Sequence, residues 1–108
     1  MRIMPPIEIR EDKDKIVITA YLPAAHKDNI EVIVDDDKLI ISGEIKQENT
    51  KNADGVIYSE VYYGKFSRAI PLPEGVDVSN AKAKFDNGVL VVEIPLSEPR
   101  KGRRLKIE

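Results

Sequence analysis

The chain has no cysteine and no tryptophan, one histidine, and only four tyrosines and two phenylalanines in 108 positions. Without cysteine there is no disulfide framework, no thiolate nucleophile and no zinc-binding Cys/His set, and a reducing compartment is expected, with the cytoplasm as the default location. The six glycines stand singly at positions 43, 55, 64, 75, 88 and 102, so no glycine-rich phosphate loop is present and ATP binding is not expected. No apolar run approaches the roughly 20 residues of a membrane-spanning helix, and residues 1–4 are too short for a secretory signal. His26 has no second histidine with which to form a metal set, and no nucleophile motif surrounds any serine. The carboxylates fall at turns and on solvated faces, and the run Asp35-Asp36-Asp37 lacks the alternating ligands and closing Glu of a calcium loop. No catalytic residue, cofactor or metal is expected, and an enzyme is disfavoured.

What the chain does have is β-branched bulk: 14 Ile and 10 Val against 6 Leu. These residues suit a pleated surface better than a helix, and 108 residues suffice for one domain with one core. The clearest local signal lies at residues 81–96. Ala81, Ala83 and Phe85 alternate with Lys82, Lys84 and Asp86, which reads as a half-buried strand. Asn87-Gly88 makes the turn, and Leu90, Val92, Ile94 and Leu96 then point one way. Their neighbours Val89 and Val91 are also apolar, so this second strand is expected to be covered on both faces for most of its length. Residues 7–10 read as a short strand and residues 15–22 as a longer one, with Ile16, Ile18, Ala20 and Leu22 on one face. Residues 23–28 break the pattern, with one helical turn near Lys27 and Asp28. Residues 30–34 and 38–45 form a second strand pair about the acidic turn.

Two segments do not fit a simple meander. Residues 46–55 are polar and have nothing to bury, which predicts a long excursion, yet Val56-Ile57-Tyr58 at its far end needs a strand partner. Folding back on its own sheet and joining another chain's edge are equally compatible with the residues. The other segment is the tail. From Glu98 onward five basic residues stand against two acidic ones, a net of +3, which leaves −5 for residues 1–97 out of the whole-chain −2. No aromatic residue sits among the basic groups to stack on bases, and the acidic body repels a polyanion, so nucleic acid is not an expected partner, and neither is a membrane.

The stretch Tyr63-Gly64-Lys65-Phe66-Ser67-Arg68-Ala69-Ile70-Pro71-Leu72-Pro73-Glu74-Gly75-Val76, then Asn87-Gly88-Val89-Leu90, then Ile94-Pro95, resembles the α-crystallin domain of small heat shock proteins. Leu105-Lys106-Ile107 resembles that family's C-terminal Ile-x-Ile/Val anchor, and the likeness covers residues 5–108. The resemblance implies an all-β, immunoglobulin-like antiparallel β-sandwich with a long strand-exchange loop and an extended tail. It implies an ATP-independent holdase for partly unfolded client proteins, with a swapped-strand homodimer as building block and larger homo-oligomers formed through the tail. The implied organisation is a very short N-terminal arm (1–6), the domain (7–96) with its dimerisation loop (46–58), and the C-terminal extension (97–108).

Carried onto matching positions, the resemblance makes Val56, Ile57 and Tyr58 the exchanged strand, pairing with Ile7 and Ile9 of the other chain, with Arg68 at the same junction. Leu105 and Ile107 become the anchor, and Ile30, Val32, Val34, Ala81, Ala83 and Phe85 the groove that receives it. The chain departs from the family pattern in its short arm and in Glu60-Val61, where many members have Glu-Arg. A related β-sandwich adaptor that binds a folded partner is the alternative reading. It would have no use for the anchor.

Overall fold

The computed structural model describes residues 4–35, 37–46, 55–97 and 105–108. Seven strands are seen: β1 (Ile7–Glu11), β2 (Lys15–Tyr21), β3 (Ile30–Val34), β4 (Lys38–Ile45), β5 (Gly64–Pro71), β6 (Lys82–Asp86) and β7 (Val89–Pro95). Single 3-10 turns at Lys27–Asn29 and Val78–Asn80 are the only helical elements among the described residues. A four-stranded sheet runs β1-β2-β7-β6 and a three-stranded sheet runs β3-β4-β5, with every pairing antiparallel.

Alternation builds the core. Ile16, Ile18, Ala20 and Leu22 from the β2 segment and Leu90, Val92, Ile94 and Leu96 from the β7 segment face Leu39, Ile41, Ile45, Phe66 and Ile70 of the other sheet, all buried. No polar or charged residue is buried among the described residues, so the seal between the sheets carries no desolvated charge. The Asn87-Gly88 turn has φ of 51° and 79°, the doubly left-handed geometry whose twist matches a two-residue hairpin.

One expectation needs correction, and two features were not foreseen. The outer face of β7 is only half-buried at Val89, Val91 and Glu93, because no third layer lies over it; cover comes from β2 and β6 alongside. Val17, on the outward side of β2, is instead buried at 6% exposure, flanked in register by Arg10 and Glu93, whose long stems can shield apolar surface. Residues 64–71 form a full strand, whereas residues 56–58 form none within the chain.

The connections fix which ends of the two sheets lie together. Leu22 N–H donates to the Gly88 carbonyl at 2.7 Å, and residues 23–29 then carry the chain to Ile30, so the start of β3 sits near the β6–β7 turn. At the opposite end Leu72 N–H donates to Asp37 and Asp77 N–H to Pro95, each at 2.8 Å, so residues 72–77 cross from beside the β3–β4 turn to the start of β6. β3 and β6 therefore run in opposite directions along one rim of the sandwich.

One glycine is required by a close approach. A Cβ at Gly43 would stand 2.2 Å from the Asn29 carbonyl oxygen and 3.1 Å from Phe66 Cζ, so the main chain entering β3 lies directly over it. Gly43→Ala forces that crossing apart, at an expected cost of about 1 to 3 kcal/mol. The measurement is urea unfolding, in which the midpoint falls while the slope stays constant.

Candidate functional site

The rim between β3 and β6 is open. Both are edge strands, with unpaired backbone groups along one side. A cavity of about 190 Å³ lies between them, lined by Ile30 and Val32 from one sheet, Ala83, Lys84, Phe85 and Leu90 from the other, and Lys27 from the 3-10 turn. Ile30, Val32 and Phe85 are half-buried against the core while Ala83 is exposed, so the apolar wall continues outward from the interior. Of the six groove residues expected from the sequence, these four come together around the cavity. Val34 and Ala81 pack against the core without lining it. The expectation omitted Leu90 and Lys27. Leu90 faces Phe85 directly in the β6–β7 register, and Lys27 precedes Ile30 by less than one turn of chain, so both were within reach of a register argument.

The approach to β6 is held by a small polar cluster. Asp77 accepts hydrogen bonds from Ser79 Oγ at 2.6 Å and Asn80 Nδ2 at 2.7 Å, bracing the 3-10 turn that delivers Ala81. Those two donors hold the Asp77 carboxyl below the usual carboxylate range, because they favour its charged form.

The anchor candidates are available for binding. Leu105 is 75% and Ile107 95% exposed, and neither belongs to a strand. An aliphatic pair so exposed gains nothing from its own domain. The linker between Ser97 and Leu105 lies outside the described residues, as do residues 47–54 of the expected dimerisation loop and residues 1–3 of the N-terminal arm.

The opposite rim joins the other two edges. β1 ends the first sheet and β5 the second, and Arg68 of β5 reaches across, its Nη1 donating to the Pro5 carbonyl at 2.8 Å. Arg68 is thus half-buried and engaged within its own chain. Pro5 itself is fully buried. Ile7 is half-buried and Ile9 is 52% exposed on the same edge strand. Val56, Ile57 and Tyr58 are 51%, 100% and 77% exposed and form no strand, and among the described residues β1 pairs with β2 alone. The Tyr58 hydroxyl donates to Glu60 at 2.5 Å, and that carboxylate raises the hydroxyl's pKa. Tyr62 donates to the Lys65 carbonyl at the start of β5.

The seven antiparallel strands of the described residues, in two facing sheets with an apolar cleft along one rim, define an immunoglobulin-like sandwich. The model of the Hsp20/alpha crystallin family matches residues 8–108, and the chain belongs to that family. Among curated relatives it is 34% identical over 105 residues to small heat shock protein C4 of Rickettsia felis, covering 97% of this chain and 64% of that protein. It is also 34% identical over 104 residues to spore protein SP21 of Stigmatella aurantiaca, covering 96% and 62%. The chain thus spans a little under two thirds of the length of these two relatives. Among solved structures, heat shock protein 16.0 of Schizosaccharomyces pombe superposes with a TM-score of 0.84 at 33% identity, covering 99% of this chain and all of that one. A small heat-shock protein from Xylella fastidiosa, described as having a distinct high order structure, gives 0.80 at 31% identity, covering 97% and 96%.

Removing the Arg68 guanidinium leaves the half-sheltered Pro5 carbonyl without its donor. Arg68→Ala is expected to cost about 1.5 to 3 kcal/mol, the range for a hydrogen bond to a charged group. Hydrogen exchange followed by mass spectrometry should show faster exchange concentrated in residues 5–11; an evenly spread increase would contradict the local tie.

Proposed function

We propose that the chain is an ATP-independent holdase that binds partly unfolded proteins, with a strand-exchanged homodimer as its unit and larger assemblies joined by the tail. The observation that carries this is the apolar cavity between two unpaired edges, matched within the same chain by an exposed Leu-x-Ile strip. In an extended segment Leu105 and Ile107 project to the same side, as two contacts in one groove require. The unit is residues 7–96, and residues 97–108 are its extension.

Magnitudes decide how such a tail behaves. Burying two aliphatic side chains is worth about 3 to 6 kcal/mol, whereas ordering four backbone residues costs about 4 to 8 kcal/mol. A single tail therefore binds weakly. Several tails on a closed assembly gain through effective concentration, so the assembly persists while individual subunits exchange. A groove vacated during exchange presents apolar surface to an unfolding client.

On the other rim, Val56, Ile57 and Tyr58 are the segment assigned to strand exchange. They are exposed, lie beyond the polar run, and pair with no strand among the described residues. Pairing with residues 7–10 of a second copy extends the edge of the four-stranded sheet, beside Arg68. The relatives named as heat shock proteins support the chaperone reading, and no described helix is long and apolar enough to cross a membrane.

Heating a labile enzyme with this protein in the absence of nucleotide should suppress light scattering; unchanged scattering at excess protein would remove the holdase reading. A separate measurement addresses assembly. Leu105→Ala with Ile107→Ala should reduce the native mass to the dimer while leaving the circular dichroism spectrum unchanged. A mass that does not respond would favour the adaptor, which has no need of the anchor.

A further inference from the structure

We propose that the Leu105–Glu108 segment of a second copy docks antiparallel to β6, and that Lys82 and Asp86 set this polarity by acting on Glu108. The inference rests on the anchor reading above and adds a direction to it. The cavity is lined by Ala83 and Phe85, which share one face of β6, with Lys84 between them at its edge, whereas Ala81 does not line it. Leu105 and Ile107 therefore register against this pair. Two alignments satisfy that condition. In the antiparallel one, Leu105 meets Phe85 and Ile107 meets Ala83; in the parallel one the two are exchanged.

The outward row distinguishes them. Lys82, Lys84 and Asp86 are all exposed and alternate with the inner pair. In the docked segment Lys106 and Glu108 occupy the matching outward positions. Lys106 falls opposite Lys84 in both alignments, so that pair expresses no preference. Glu108 falls opposite Lys82 when the segment is antiparallel and opposite Asp86 when it is parallel. Directly opposed side chains across a strand pair lie about 4.5 to 5.5 Å apart, where opposite charges attract and like charges repel. Lys27, Asp28 and Asp86 share the parallel end, so the cation there is offset by two carboxylates. At the other end Lys82 stands opposite Glu93 in the β6–β7 register, and Glu93 Oε1 lies 3.4 Å from Lys15 Nζ, so two cations there face one carboxylate, while Asp77 is already engaged by Ser79 and Asn80.

The test uses the full chain, mixing isotopically labelled and unlabelled protein so that links between copies are identified by mass. A carbodiimide joins a carboxylate to an amine in contact with it, and the expected product joins Glu108 of one copy to Lys82 of another. A Glu108 to Lys27 product in its place would overturn the polarity. A short amine-to-amine linker joining Lys106 to Lys84 reports groove occupancy for either direction. If that product forms without the Glu108 to Lys82 link, the polarity is wrong and the anchor reading stands; if neither forms, the anchor reading fails and the polarity with it. Charge exchange gives an independent check. Lys82→Glu should weaken tail-dependent assembly about two- to fivefold, the scale of one cross-strand charge pair, and Glu108→Lys in the same chain should restore it. Absence of restoration, with the circular dichroism spectrum unchanged, would overturn the assignment.

Discussion

The unpaired backbone of the edge strands is the constraint on which this molecule's behaviour depends. Two open sheets that close over one core leave four edges, and here these meet in two rims, β3 with β6 and β1 with β5. Interior strands satisfy their N–H and C=O groups on both sides, but an edge satisfies only one row within the chain. Several of the apolar residues that remain partly in water lie on or near these rims: Ile9 and Ile33 on edge strands, Ala83 and Phe85 at the cavity, and Val56 to Tyr58 ahead of β5. Alternation closes the core by burying one face of each strand, and it leaves the pairing of the outermost edges unaddressed, because face and edge lie in different directions.

The two kinds of apolar burial differ in permanence. Among the described residues, thirteen buried aliphatic and aromatic side chains hold the sheets together, and truncating a large one leaves a cavity that the surrounding packing fills only in part. The rim contacts proposed for the tail are different, because Leu105 and Ile107 are solvated in the single chain and their burial does not outweigh the ordering cost of the segment. A stable body with weak, repeated edge contacts can exchange partners without unfolding, which is the dynamic property a holdase needs.

The fold was legible wherever one periodicity dominated. Ile16 to Leu22 and Leu90 to Leu96 alternate without interruption and lie in the core as expected, and Asn87-Gly88 adopts the geometry its residues favour. β5 was less visible to pattern, since Arg68 occupies the inward line between Phe66 and Ile70, and its reason is a backbone carbonyl 63 residues away. Val17 was missed because its cover comes from neighbouring strands rather than from its own alternation. The groove was half legible: alternation identified Ala83 and Phe85, but that β3 lies across from β6 depends on two crossovers between sheets, which no local pattern encodes. For the groove, the family resemblance supplied what periodicity could not.

An exposed apolar cleft beside an unpaired strand is also a template for aggregation, and the chain must restrain it. Proline would remove a donor from the β6 edge and destroy it as a binding surface, whereas charge leaves the backbone available and selects what may approach. The row Lys82, Lys84, Asp86 takes the second course. A neutral β segment arriving there would find no partner for these charges and would shed part of their hydration, while a segment bearing its own outward charges can compensate some of it. Discrimination of this kind costs little stability in the free domain, because all three side chains are exposed and β6 is already paired to β7. On the docking proposed for the tail, the inner face sets affinity and the outer face sets which strands approach.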